Sequence, residues 1–489
     1  MKNRIYKEIT CCLLTMFSLL ACVDLVEDTT GQPTPDKFFG TLTDFNSFIS
    51  GAYAPITTMY GTDCPYVACA GGEDICVSSV VRWRGFEQAD INSVNNPEEI
   101  TDILWNNSYS SISACNTLIS LIAGNTKLSS EQLSPIDGEA RFLRALNYFN
   151  MVRWFGEIPI LTEQNQSNAA NEPQASIAAI YDQVISDLGI AEKKLPKTQT
   201  DKSRPTRYAA KALMAKVYLT MAGYPLNKTE SYALARDKAN EVITEGGYIL
   251  EDDFSDLWLW QNRNTNTEFI FTLYASSNNG TGGYINRSVR PNEEKGWADW
   301  TSDQRFLAKF PVGDNSRVKG TFYLTFNADA GNISWQQAQV AEPYVGKLRD
   351  GGDKSGNYAG SAITNIADGF YPIIRYADVL LIYAEAANMA EGAPSTKAYD
   401  ALNEVRLRAG LSSLSGLNNE TFDKAVIDER NWELAFECNR WFDMCRRHIV
   451  ADVISELYPS RTIDDHNYLL PKPSDQLAIM KGVRQNEKY

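Results

Sequence analysis

The chain has 489 residues and a formal net charge of −15, a balance that argues against a nucleic-acid partner because phosphate binding needs a basic face. At 44% hydrophobic and 22% charged, it has an ordinary globular composition, large enough for one elongated domain or two to three lobes. The only two histidines, His448 and His466, with no HExxH and no Cys/His pairing at zinc spacing, argue against a transition-metal site.

The chain opens with Lys2, Arg4 and Lys7 ahead of an apolar run over 9–20. That run is too short to span a bilayer, which takes roughly 20 residues, so 1–21 reads as a signal peptide. Leu19, Leu20 and Ala21 directly before Cys22 resemble the bacterial lipobox, which predicts that Cys22 is acylated, for example with palmitate, and becomes the new N-terminus. The segment 22–40, with Asp24, Glu27, Asp28, Gly31, Pro33 and Pro35, reads as a lipidated tether. Six cysteines remain beyond it: Cys64, Cys69, Cys76, Cys115, Cys438 and Cys445. Export permits disulfides, and a pair within 64–76 is one possibility, although no Cys-x-x-Cys occurs.

Apolar residues returning every three and four positions predict a mostly helical protein. A first amphipathic helix is expected over 41–59, with Phe45, Phe48, Ile49 and Ala52 on one side, then an aperiodic region over 61–96. Helices follow over 100–123 and 134–155, the second burying Phe142, Ala145, Leu146, Phe149 and Val152 and leaving Arg141 and Arg144 outside. Further helices are predicted over 177–194, 207–222 and 232–244. Small residues at Ala212, Ala215 and Gly223, then Ala235 and Ala239, suggest paired helices in close approach, as in a tetratricopeptide hairpin; Ala384, Ala386, Gly392 and Ala398 repeat the pattern, and 141–194 shows it more faintly.

From 246 to 370 the periodicity stops. A short strand over 268–274 places Phe269, Phe271 and Leu273 on one side, and the rest is irregular and aromatic, with Trp297, Trp300, Phe306, Phe310, Phe322, Tyr323 and Trp335. Long irregular insertions on a helical scaffold are where binding usually sits. Helical pattern resumes at 375–389, apolar on nearly every side except for Arg375, Asp378 and Glu385, whose charges must be paired. Glu429, Glu433, Glu437 and Arg440 form a second polar stripe, read as ion-paired packing rather than as catalytic carboxylates.

These last segments resemble a known family. Arg375 to Ala386 (RYADVLLIYAEA) and Glu429 to Glu437 (ERNWELAFE) through Arg440-Trp441-Phe442-Asp443 are similar to the hallmark helices of the SusD/RagB family. So are Glu139 to Ala145 running to Phe155-Gly156-Glu157-Ile158-Pro159, Asp314 with Arg317, and the ending from Leu470-Pro471-Lys472-Pro473 to Tyr489. Cys438 and Asn439 depart from the Gly-His that members often carry, and Met444-Cys445 is a second departure, both in what reads as scaffold helix.

The resemblance implies tetratricopeptide-like hairpins forming a right-handed superhelical scaffold with long irregular insertions and a few short strands. It divides the chain into an N-terminal helical region over 41–245, a ligand-binding insertion over 246–370 and a C-terminal helical region over 371–489. It further implies an outer-membrane lipoprotein on the cell exterior that binds oligosaccharides without enzymatic chemistry or cofactor and passes them to a SusC-like, TonB-dependent transporter. Sugar rings need flat apolar faces with hydrogen-bonding groups at the rim. Trp83 beside Arg82, and Tyr284, Trp297 and Trp300 beside Asn286, Arg287 and Asn292, supply both and are the candidate ligand contacts. A glycosidase would need two carboxylates facing one cleft, for which Asp252, Asp253, Asp464 and Asp465 qualify only by being acidic, and the chain has no GxSxG, P-loop or GxGxxG motif. A peptide- or protein-binding surface lipoprotein is the alternative, since tetratricopeptide hairpins also hold peptides.

Overall fold

The computed structural model describes residues 39–77, 83–276, 278, 280–328, 331–348 and 368–489. The signal peptide, Cys22, most of the tether and Arg82 lie outside the described residues. Six long helices form the first half: α1 (Leu42–Gly61), α2 (Glu98–Ala123), α3 (Ser130–Phe155), α4 (Ile177–Lys194), α5 (Arg207–Ala222) and α6 (Ser231–Glu245). Their starts are written in side chains. Thr41 and Ser129 each close a capping box, with Asp44 and Gln132 respectively, and Ser176 and Thr206 cap α4 and α5; each cap stabilises its helix by about 1 kcal/mol. The C-terminal region carries α7 (Tyr376–Glu391), α8 (Thr396–Arg408), α9 (Asn419–Glu433) and α10 (Arg440–Arg447).

Neighbouring helices pack as antiparallel hairpins, α1 with α2, α3 with α4, α5 with α6 and α7 with α8, and α6 and α9 also lie on α7. This is the expected tetratricopeptide-like arrangement. Ala212, Ala215, Ala235, Ala239, Ala384, Ala386 and Ala398 are all buried in the contacts between helices, where a larger side chain would hold the backbones apart. One apolar core runs from Phe45 in α1 to Met444 in α10.

Several expectations are corrected. Arg144 is buried, not outside: Asp187 of α4 takes its Nε and Nη2 at 2.8 and 2.7 Å, and Glu163 and Asn116 take Nη1. Helix α3 is covered on nearly every side, so a one-stripe reading cannot place its charges. Strand β2 (Phe269–Ala275) is buried on both faces, and a strand not foreseen, β6 (Gly369–Arg375), pairs antiparallel along its edge and leads into α7. A four-stranded sheet, in the order β1 (Cys76–Val77), β3 (Trp300–Thr301), β5 (Tyr344–Val345), β4 (Phe322–Tyr323), organises much of the insertion. Phe306, Phe310 and Phe322 are likewise core residues there, packing edge-on with one another and with Phe436. Cys438 is not helical: the chain turns between α9 and α10, with Phe436 and Cys438 at φ of 62° and 56°. Cys64, Cys69 and Cys76 are free thiols, and Cys69 meets Cys438 across the fold.

The charged stripes are paired as expected. Arg375 is held by Glu268, by Glu433 at 3.0 Å and by Glu437 at 2.8 Å; Asp378 by Lys216 and Arg430, each at 2.9 Å; Glu385 by Arg446 at 2.7 Å. Glu433 also meets Arg408 and Arg317, and these guanidiniums hold its pKa down to about 2 against strong desolvation. An ordinary glutamate titrates near about 4.3, so this depressed carboxylate contributes stability that is fully present above pH of about 4.3 and lost as pH falls towards 2. Glu433→Gln is therefore expected to cost about 3–5 kcal/mol at pH 7, by leaving three arginines short of a partner. Thermal unfolding followed across pH should show the gap to the unaltered protein closing below pH of about 4.3.

Candidate functional site

Four of the five candidate contacts fall into two aromatic pairs, one at an exposed end and one at a buried end of the same region. At the buried end Trp83 and Trp300 stack 5.9 Å apart at 11° between planes. Trp300 is in β3, paired through Val77 with β1, and the two indoles are only 6% and 1% exposed. Neither presents a face to solvent in this structure; each is the other's packing partner.

At the exposed end Tyr284 lies 5.8 Å from Trp297, whose indole is 37% exposed. The guanidinium of Arg287 covers the Trp297 ring at 4.8 Å, a cation–π contact that fixes the indole at modest energetic gain. The Trp297 N–H donates to the Arg287 carbonyl at 2.9 Å, so the two residues are held by backbone as well as by their side chains.

The loop that carries this pair is clamped to the end of α1. The Tyr284 N–H donates to the Gly61 carbonyl at 2.8 Å, and a Cβ on Gly283 would stand 2.0 Å from that oxygen. Only glycine permits that approach.

Asp63, two residues beyond α1, joins the two ends, and the sequence reading missed it. The Tyr284 hydroxyl donates to its Oδ1 at 3.3 Å, and Trp300 favours its charged form from the indole edge, short of a well-formed hydrogen bond. Burial raises the Asp63 pKa to about 6, helped by the nearby Asp299. No motif marks it; the signal is a carboxylate in a short loop between a helix end and apolar Pro65, Tyr66 and Val67.

The arrangement can offer the exposed indole of Trp297, hydrogen bonds donated by Arg287 at its rim, and the Tyr284 hydroxyl oxygen as an acceptor, its hydrogen being given to Asp63. Of the rival carboxylates, Asp253 and Asp464 cap short turns, at Ser255 and His466, and Asp465 meets His448. No cluster of three or more His, Cys, Asp or Glu suited to a metal occurs among the described residues.

Residues 338–489 match the family described as "SusD family", and residues 45–219 the one described as "Starch-binding associating with outer membrane". The chain belongs to the SusD family. Its curated relatives include SusD-like protein P2 of Formosa agariphila, 26% identical, with 97% of this chain and 98% of the relative covered. Among solved structures, a SusD superfamily protein from Parabacteroides distasonis superposes with a TM-score of 0.80 at 25% identity, over 91% of this chain and 99% of that one. A laminarin-binding SusD-like protein gives 0.72 at 23%, over 91% and 99%.

Ionised Asp63 sits where the fold prefers it neutral, so the cost in stability is absent below its unfolded pKa of about 3.9, grows as pH rises towards about 6 and is complete above it. Asp63→Asn keeps the acceptor for Tyr284. It is expected to melt higher than the unaltered protein at pH 8 and level with it at pH 4, as differential scanning calorimetry at the two pH values would read.

Proposed function

We propose that this SusD-family chain is a non-enzymatic glycan-binding lipoprotein of the outer membrane. Cys22 carries the acyl anchor, the protein faces the cell exterior, and bound oligosaccharide passes to a SusC-like, TonB-dependent transporter. The observation that carries the binding reading is the Tyr284–Trp297–Arg287 platform, an exposed indole braced from two sides and backed by a buried carboxylate. The similarity to a laminarin-binding protein and to the starch-binding family description supports glycan as the ligand class. The division into 41–245, 246–370 and 371–489 is part of the proposal: the helical regions are the support and the insertion carries the ligand.

In this reading Trp83 and Trp300 support the platform from beneath, through Asp63, and Trp297 and Tyr284 touch the sugar. Arg82, beside Trp83, remains a proposed contact. An open aromatic platform excludes little water, so affinity is expected to be modest.

Titration of the purified protein with laminarin, starch and xyloglucan oligosaccharides, against peptide pools, tests the class. Trp297→Ala should weaken glycan binding about tenfold, the value of about 1.4 kcal/mol for one lost stacking face, and leave the melting temperature unchanged. Trp300→Ala should lower the melting temperature, because it opens a cavity in the core. Retained affinity in Trp297→Ala, or binding of peptides and not glycans, would sink the reading.

Cys22→Ala should move the protein from the membrane to the soluble fraction of fractionated cells, with glycan affinity unchanged. Continued retention would make the transporter, and not the lipid, the main attachment.

A further inference from the structure

Arg153 differs from the other deeply placed arginines. Arg144, Arg317, Arg375, Arg430 and Arg446 each meet at least two carboxylates. Arg153, near the end of α3, meets none among the described residues. Its guanidinium is sandwiched between the rings of Phe149 and Phe442, at 3.8 and 3.9 Å. Its hydrogen bonds go to neutral oxygens only, Nε to the Phe149 carbonyl at 2.9 Å and Nη2 to Asn150 Oδ1 at 2.6 Å. Both hydrogens of Nη1 and one of Nη2 are left over, more than the two that a carboxylate accepts with its two oxygens.

The guanidinium borders a cavity of about 120 Å³, walled by Ile177, Tyr181, Tyr224, Pro225, Phe442 and Tyr468. An apolar cavity of about 150 Å³ takes one benzene, so this smaller one sets an upper limit of a single six-membered ring. The other charged groups on its wall, Arg446 and Asp465, have partners of their own. Arg446 is held by Glu385 and Asp443, and Asp465 by His448 at 2.9 Å and by the Tyr224 hydroxyl. Arg153 is the cation of this wall that meets no carboxylate among the described residues, and desolvation lowers its pKa. The Tyr181 hydroxyl donates to no protein acceptor among the described residues and can supply a further bond.

We propose that this cavity is a second binding site, separate from the aromatic platform, for a small carboxylate carried on a six-membered ring. The carboxylate pairs with the free N–H groups of Arg153 and the ring lies among Tyr181, Tyr224 and Tyr468. Two sources share this chemistry, a uronic acid and an aromatic acid, and the probes separate them. None of its wall residues belongs to the platform, so the proposal stands or falls apart from glycan binding there.

The test is calorimetric titration of the full chain, solubilised in detergent, with D-glucuronate against D-glucose and benzoate against benzyl alcohol. At least one acid should bind at least about tenfold more tightly than its neutral counterpart, as expected for a charge-assisted pair. Glucuronate as the better ligand assigns the site to acidic sugars, benzoate to aromatic acids. Arg153→Met should abolish the preference. Asn150→Asp should do the same while keeping the arginine, since it supplies from within the carboxylate that the ligand would bring. Should Arg153→Met fail to fold, Asn150→Asp decides alone. Absence of any preference for acid over neutral ligand in the unaltered protein, or an undiminished preference in Asn150→Asp, overturns the proposal.

Discussion

The guanidinium of Arg375 is the joint on which the fold depends. It stands where β6 becomes α7 and is shared by Glu268 at the foot of β2, Glu433 at the end of α9 and Glu437 in the turn beyond. Lys347 donates to the Glu433 carbonyl and to Glu437, each at 2.8 Å, and Arg408 of α8 reaches both Glu268 and Glu433. Segments separated by more than a hundred residues are thus one ionic object. Desolvating so many charges is costly, and the arrangement holds because nearly every lone pair and N–H is used. A second such object, Arg430 with Asp378 and Asp443, and Arg446 with Glu385, locks α7, α9 and α10.

That rigidity is transmitted to the platform by a short path. Strand β2 begins beside Glu268 and ends at Ala275, and the chain that leaves it reaches Tyr284 within nine residues, where Gly283 lies against Gly61. On the other side, Phe436 in the turn after Glu433 packs edge-on into Phe306 and Phe322 of the insertion. The insertion is therefore fastened to the scaffold at two places and has a core of its own. Trp297 is exposed on a support that does not have to be ordered by ligand, so binding need not spend free energy on folding the loop.

What was legible in the sequence follows from the range of the interactions. Helices α4 and α5 were read at their observed bounds and α1 within a few residues, because period and caps are local. The pairing of Arg375, Asp378 and Glu385 was legible as a necessity, since a charge on a buried helix must find a partner, but the partners themselves were not. Arg144 was misplaced because its partner, Asp187, is on another helix, and a helix covered on all sides has no polar face to read. Strand β6 went unseen because its residues pair with β2, nearly a hundred positions earlier. The aromatic candidates stand as two touching pairs, Trp83 with Trp300 and Tyr284 with Trp297. Which of them faces solvent was not readable, because Trp83 and Trp300 bury each other across more than two hundred residues.

The same physical test separates structural from functional residues in both proposed sites. Arginine and tryptophan are plentiful in this fold, and composition cannot say which of them bind anything. Where the hydrogen-bonding or stacking capacity of a side chain is already filled by the chain, as with Arg375 or Trp300, its role is to hold the fold. Where capacity is left over beside open space, a ligand can use it: the indole of Trp297 is braced and 37% exposed, and the guanidinium of Arg153 is oriented by two phenyl rings and meets no carboxylate among the described residues. In both cases the ordering of the side chain has already been done by its neighbours. A ligand would then gain the contact without the entropic cost of arranging it.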